Sequence, residues 1–185
     1  MRQPCPGYAS SLTLSNVTLC DNQATIWGSG RGGGLALEDN ADATGTNVLF
    51  CSNEVDSDGG GIYVKDTSTV DVAHTDAWDN TPDDYSGMRD PTGTDGDLSA
   101  APGFLTSSFH LSARSPLIDA GDPTLLDPDG SPSEIGAFGG PGADGWDLDG
   151  DGYASWWLPG AYDATTSPDL DCADSDSSVY PGSGC

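Results

Sequence analysis

Three stretches of the chain echo one another at near-constant spacing. They are Asn16-Val17-Thr18-Leu19-Cys20-Asp21-Asn22, Asn47-Val48-Leu49-Phe50-Cys51-Ser52-Asn53 and, more faintly, His74-Thr75-Asp76-Ala77-Trp78-Asp79-Asn80, at offsets of 31 and then 27 residues. A second echo sits between them: Gly32-Gly33-Gly34-Leu35-Ala36-Leu37 matches Gly59-Gly60-Gly61-Ile62-Tyr63-Val64 at an offset of 27. From Gly32 to Asn47 and from Gly59 to His74 the distance is 15 residues in both cases, whereas Asn22 to Gly32 is 10 and Asn53 to Gly59 only 6. All four residues of difference therefore fall in the stretch containing Trp27 and Arg31, as in a repeat with one variable loop.

A period near 27 built from short alternating apolar runs is the signature of an all-β solenoid, in which each repeat buries its apolar side against its neighbours. Each repeat carries about three strand-length pieces, such as Val48-Leu49-Phe50-Cys51, Ile62-Tyr63-Val64 and Val70-Asp71-Val72. Alternation sends every second residue inward. The expected core is Leu12, Leu14, Val17, Leu19, Leu35, Leu37, Val48, Phe50, Ile62, Val64, Val70 and Val72. Asn22, Asn53 and Asn80 then stack on one line, where Asn tolerates a left-handed corner and its amide can hydrogen-bond to the next layer. Cys20 and Cys51 stack as well. Their sulfurs can form a disulfide across that step or remain two buried thiols, the commoner outcome. The glycine runs are not phosphate loops, because no Lys-Ser/Thr follows and a strand rather than a helix comes next. Close backbone approach between layers accounts for them.

Composition removes whole classes of function. With 30 acidic residues against 5 Lys plus Arg, the formal net charge is -25. Such a polyanion is repelled by phosphate backbones and anionic membrane surfaces, which excludes nucleic acid as a partner and argues against membrane contact. No apolar run reaches the length of a membrane span. The 26 Gly and 13 Pro disfavour a helical protein. The five cysteines leave at least one unpaired within the chain, there is no Cys-x-x-Cys, and the two histidines lie far apart, so a zinc site is not indicated. His74 and His110 read as packing or surface residues. The sequon Asn16-Val17-Thr18 lies in an expected strand and reads as structural.

Beyond the repeats comes Asp97-Leu98-Ser99-Ala100-Ala101-Pro102-Gly103-Phe104, then Phe109-His110-Leu111-Ser112, then Ser115-Pro116-Leu117-Ile118-Asp119-Ala120-Gly121-Asp122, then Glu134-Ile135-Gly136-Ala137-Phe138-Gly139-Gly140-Pro141. This order of motifs resembles the closing, choice-of-anchor segment of secreted bacterial right-handed parallel β-helix proteins. The resemblance covers roughly residues 97–141 and implies that fold for residues 8–140. Two positions depart from the family: Glu134 stands where Asp is usual, and Pro132 where Arg is common. A segment of this kind gives a solenoid the cap that keeps its last strand edge from standing open. The first ten residues offer no matching cap, and the opening Met1-Arg2-Gln3-Pro4-Cys5-Pro6-Gly7 has no apolar stretch of signal-peptide type. The expectation is a C-terminal part of a longer exported chain, its signal peptide upstream.

Residues 141–185 form a second, acidic unit without Lys or Arg after Gly142. In Asp147-Leu148-Asp149-Gly150-Asp151-Gly152-Tyr153, carboxylates at positions 1, 3 and 5 and Gly at position 6 converge on one point, with the Tyr153 carbonyl a further ligand. Position 12 is Leu158 rather than Glu, so the loop is not a regular EF-hand and needs ligands from elsewhere. Asp171, Asp174 and Asp176 can supply them. Together the two clusters resemble the metal-binding motif of extracellular bacterial proteins named after a copper-binding surface protein of methanotrophs. The first loop also resembles the calcium loops of thrombospondin type 3 repeats. Ala173 replaces the usual Asp after the Cys. Hard oxygen ligands without histidine favour Ca²⁺ over copper or zinc. A disulfide between Cys172 and Cys185 would staple a segment too small to fold on apolar burial alone. Trp146, Trp156, Trp157 and Tyr162 read as a small apolar core rather than a sugar platform.

Function divides between two classes. A parallel β-helix can host polysaccharide lyases, hydrolases or epimerases, and a lyase would need a base such as Arg31 or Lys65 beside calcium held by Asp56, Asp58 or Asp66. In the inferred register Arg31 and Lys65 do not stack, and no matched acid pair falls on adjacent layers. The favoured expectation is therefore a non-catalytic, extracellular or cell-surface module for structure or interaction. It would bind calcium through its tail and meet glycans or cell-surface components. The alternative is a fragment of a polysaccharide-active enzyme whose active turns lie upstream.

Overall fold

A computed structural model describes residues 10–25, 28–104, 109–112, 115–127, 130–141, 143, 176, 178, 179 and 183. Among these the chain is all-β and helix-free. The strands are β1 (Ser10–Cys20), β2 (Gln23–Ala24), β3 (Leu35–Leu37), β4 (Ala41–Cys51), β5 (Glu54–Val55), β6 (Ile62–Val64), β7 (Thr69–Ala73), β8 (Asp76–Trp78) and β9 (Tyr85–Ser86). They form three parallel sheets. One orders β1-β4-β7 with β8 continuing beside β4, one pairs β2 with β5, and one orders β3-β6-β9.

The register is the one the repeat spacing dictates. Cys20 pairs with Cys51 and Val17 with Val48 at the offset of 31, while Ala43 pairs with Val70 and Cys51 with Trp78 at 27. Ala24 pairs with Val55, and Arg31 bridges to Asp58. The four extra residues thus fall between Ala24 and Arg31, where the variable loop is expected. Each 11-residue strand, β1 and β4, bends at a left-handed residue, Asn16 or Asn47, and His74 repeats that conformation between β7 and β8. One long strand therefore supplies two of the three strand pieces of a repeat.

The Asn line is a hydrogen-bonded ladder. Asn22 Nδ2 donates to Asn53 Oδ1 at 2.8 Å, Asn53 Nδ2 to Asn80 Oδ1 at 2.8 Å, and Asn80 Nδ2 to Asp84 Oδ1 at 2.7 Å. The backbone N–H of each Asn donates to the same acceptor as its side chain. The left-handed corner, however, is one residue earlier than expected, at Asp21, Ser52 and Asp79. With the turn already made, the Asn side chains point inward and bond layer to layer and to the carbonyls of Leu19 and Phe50. The glycine runs press on this ladder. A Cβ on Gly34 would stand 2.6 Å from the Phe50 ring and 3.3 Å from Asn53 Nδ2.

Leu37, Val48, Phe50, Ile62, Val64 and Ala77 build the core, with Leu14, Val17, Leu19, Leu35, Val70 and Val72 packed against it. Leu12 is the exception, at 40% exposure. Among the described residues no strand lies on the far side of β1, so its outer end is covered on one side only. Alternation also understates burial. Leu49 and Cys51, which point away from this core, are buried as well, against Leu111, Leu117 and Ile135. The unbroken run Val48-Leu49-Phe50-Cys51 is the pattern of a strand covered on both faces. Cys20 and Cys51 are joined by a disulfide across the β1–β4 step, their Cα atoms 4.5 Å apart, rather than remaining two thiols.

The closing segment therefore does two things. Leu98 bridges to Asp76, with Leu98 N–H donating to Thr75 O at 2.8 Å, which lays one more layer along β8. The chain then returns over the outer face of β1 and β4. Its docking posts are the bend residues. Asn16 and Asn47 donate to Ser133 Oγ at 2.8 and 3.0 Å, Asn47 Oδ1 accepts from Asp122 N–H at 2.7 Å, and His74 Nδ1 lies 3.3 Å from Ala120 O.

Candidate functional site

Of the metal-ligating residues expected in the tail, only Asp176 lies among the described residues. It is exposed, and its Oδ1 accepts from Ser178 Oγ at 2.6 Å and Ser178 N–H at 3.2 Å, bonds that hold its pKa below the usual carboxylate value. Asp147, Asp149, Asp151, Tyr153, Asp171 and Asp174, with Cys172 and Cys185, lie outside the described residues. Among the described residues no three His, Cys, Asp or Glu side chains converge in a way that could hold a metal ion.

The cations of the repeats are engaged by neighbouring carboxylates. Arg31 Nε donates to Asp58 Oδ2 at 3.2 Å, and its guanidinium lies 5.4 Å from the centre of the Tyr63 ring. The bond to Asp58 raises the Arg31 pKa further, so this side chain stays charged and is no base at neutral pH. Asp58 is held low, first by Ser57 and then by Arg31. Lys65 Nζ lies 3.9 Å from Asp66, and Asp56 accepts from Gly28 N–H at 3.0 Å. These residues pair locally and do not converge on one point.

Carboxylates inside the protein are the feature that sequence reasoning missed. Asp76 is fully buried in β8. Its Oδ1 accepts from Ala100 N–H at 2.8 Å, its Oδ2 meets no donor among the described residues, and burial pushes its pKa up to about 7. Asp97 stacks below Thr75, whose N–H it accepts at 2.8 Å. It is 1% exposed, its second oxygen lacks a donor among the described residues, and burial pushes its pKa up to about 6. Asp84 ends the Asn ladder, raised by burial against the two bonds from Asn80 that oppose the rise. Tyr85 sits among these acids, its hydroxyl buried and its pKa raised by burial and then by Asp97. In the closing segment, burial and then contact with the Asp127 carboxyl push Glu134 to about 9. The offsets could have revealed one of these groups, since Asp76 shares the register position of the buried Leu49.

An open cleft of about 230 Å³ runs between β7 and the loop that follows β9, lined by Val70, Asp71, Val72, Met88, Arg89, Asp95 and Asp97 among others. Carboxylates and a guanidinium face a shared volume here, and these residues were not among the expected site residues.

Residues 47–65 match the family model of the Chlamydia polymorphic membrane protein repeat. The match takes in 19 of 185 residues, from the bend at Asn47 through Phe50, Asn53 and the glycine run to the end of β6. It therefore covers part of one repeat, including Asn53 of the Asn ladder and the Gly59–Gly61 run beside it. No curated protein and no solved structure matches the chain. No described helix is long and apolar enough to cross a membrane.

Proposed function

We propose that the chain is a non-catalytic extracellular or cell-surface module: a right-handed parallel β-helix that presents a calcium-binding C-terminal motif. The observation that carries the reading is the consumption of polar side chains by the stacking itself. Asn22, Asn53, Asn80 and Asp84 bond along one line, and Arg31 bonds to Asp58 one layer on. Residues placed to hold the layers together are poorly placed to act on a substrate. The disulfide between Cys20 and Cys51 fits an oxidising compartment. The similarity of residues 47–65 to a bacterial membrane-protein repeat fits the same setting.

The calcium part of the reading rests on spacing. Asp147, Asp149 and Asp151 repel one another strongly when no cation is near, as do Asp171, Asp174 and Asp176. A divalent ion relieves that repulsion and orders the loop, so binding and folding become one event. Calorimetry on the full chain should give saturable Ca²⁺ binding that Asp149→Ala weakens. Absence of heat, together with no gain in protease resistance in millimolar Ca²⁺, would overturn it. The purified chain should leave pectin, alginate and similar acidic glycans intact. Turnover lost on changing Arg31 or Lys65 would favour the enzyme reading instead.

A further inference from the structure

The closing segment carries two buried carboxyl groups in contact. Glu134 is 3% exposed and Asp127 8%. Their side chains lie within hydrogen-bonding reach of each other, and Glu134 Oε2 meets no donor among the described residues. Two carboxylates cannot stay ionised side by side in an apolar setting unless a cation or a proton offsets them. No cation is at hand among the described residues. Among the described residues the charged groups acting on Glu134 are Asp127 and, from the segment before it, Asp119, both of like sign. The imidazoles nearest in the fold are otherwise engaged, with His110 stacked on Phe138 at 3.7 Å and His74 against Ala120 O at 3.3 Å. From β1 and β4 the groups facing this part of the segment are the neutral Asn16, Thr18 and Asn47. Nor is there a third His, Cys, Asp or Glu among the described residues to complete a metal site.

We propose that Asp127 and Glu134 share one proton, as a carboxylic acid bonded to a carboxylate, and that this proton latches the closing segment onto the outer face of β1 and β4. The pair sits where such a latch acts. Asp127 Oδ1 accepts from Gly140 N–H, and Asp127 N–H donates to Ser131 O, which closes the loop between the two acids. Glu134 is followed directly by Ile135 and Gly136, whose N–H groups donate to Leu117 O and Asn47 O at 3.1 Å. Loss of the proton breaks the shared O–H bond, sends the proton to solvent and leaves two repelling carboxylates beneath these contacts. The pKa of Glu134, raised to about 9, fits that role. The docked state keeps a proton that the released state gives up above the ordinary carboxylate range. Docking is therefore strongest in acid and weakens as pH climbs from that range through about 9, by at most roughly tenfold per pH unit. The latch does not depend on calcium in the tail.

The test is amide hydrogen exchange at Ile135, Gly136 and Ala137 in the full chain, corrected for the intrinsic pH dependence, in EDTA and again with Ca²⁺. In EDTA these amides should be protected at neutral pH and lose at least tenfold of that protection well above pH 9, while Phe50 and Ile62 keep theirs. Glu134→Gln cannot ionise and still donates to Asp127, so it should keep protection across the whole range. Asp127→Asn is the second variant, with the same expectation. Protection in the wild type that is independent of pH, or lost equally in both variants, would overturn the proposal. So would protection restored at high pH by Ca²⁺ in the wild type but not in the variants, because the pair would then be holding an ion in place of a proton.

Discussion

The stacked repeats and the closing segment stabilise the same strands by different means. In the repeats like stacks on like: Asn on Asn, Leu35 on Ile62, Leu37 on Val64, Cys20 on Cys51. A residue there is held by its equivalents one layer up and one layer down. In the closing segment almost nothing recurs. Ser133 takes two Asn amides at once, Asp122 N–H meets Asn47, and the Asp127–Glu134 pair has no counterpart elsewhere among the described residues. Repetition makes the first region cooperative over its length, since removing one layer exposes the next. The second region depends on a few single contacts and can let go without the layers coming apart. Regions of that kind open first.

The sharpest way to break this contrast is to cut one large side chain from each region. Phe50 and Leu117 are both fully buried. Phe50→Ala should cost about 3–5 kcal/mol and unfold the chain as a unit, while Leu117→Ala should cost about 2–4 kcal/mol. Hydrogen exchange separates the two outcomes. In the Leu117 variant protection should fall at Ile135 and Gly136 but persist at Phe50. If both variants lose protection everywhere, the two regions are one cooperative unit. A slightly smaller effect is expected from the disulfide. It closes a loop across 31 residues, which corresponds to about 3–4 kcal/mol of lost chain freedom in the unfolded state. Cys20→Ala with Cys51→Ala should lower Tm accordingly. A Tm insensitive both to this change and to reductant would mean the bond contributes no net stability.

What the sequence reveals follows the same divide. Repetition makes register legible, because two copies of a motif report their own offset. The pairings of Cys20 with Cys51, Asn22 with Asn53 and Leu35 with Ile62 all come from it, as does the location of the inserted loop. One-residue details inside a copy are less legible. Asp21 and Ser52 rather than Asn22 and Asn53 take the left-handed turn, because backbone twist and side-chain bonding compete at neighbouring positions. The folding-back of the closing segment left one clue, the unbroken apolar run at Val48 to Cys51, and alternation misreads that run. The buried acids left almost none. An Asp in a chain with 30 acidic residues reads as a surface group, and only the layer register places Asp76 behind Leu49. The tail is the reverse case: its Asp spacing is the clearest chemical motif in the chain, and all the ligands expected from it but Asp176 lie outside the described residues.

The Asn ladder tests whether recurrence itself stabilises. Asn53→Ala removes bonds in both directions. It leaves Asn80 Oδ1 below with only the backbone N–H of residue 53, and above it takes a donor from Leu19 O and the acceptor from the Asn22 amide groups. The lost bonds should cost about 1–2 kcal/mol, most of it at the buried Asn53–Asn80 step. Gln23→Ala removes a bond of similar length to Glu54, but at the exposed surface, and should cost less than about 0.5 kcal/mol. Equal losses in urea unfolding would deny the ladder a special role.

The smallest expected effect lies at the joint between the two regions. Asp76 belongs to a strand of the repeats, yet the donor on its Oδ1 is Ala100 N–H of the closing segment. Burial pushes its pKa up to about 7. The folded chain therefore holds a proton on Asp76 where the unfolded chain has already lost one. This contribution to stability is complete below the ordinary carboxylate range and is lost as pH rises through about 7. Asp97, raised to about 6, acts in the same direction. The chain should thus lose stability on moving from mildly acidic to mildly alkaline pH, the opposite of ordinary acid denaturation. Asp76→Asn keeps an oxygen for Ala100 N–H and cannot ionise. It should match the wild type near the acid end of the range and exceed it by about 1–2 kcal/mol on the alkaline side. Urea unfolding at a series of pH values measures the difference directly. A constant gap between the two proteins at every pH would place the proton elsewhere. An Asn variant that is weaker everywhere would show that Asp76 is needed as a carboxylate, which its position between a rigid stack and a detachable segment does not require.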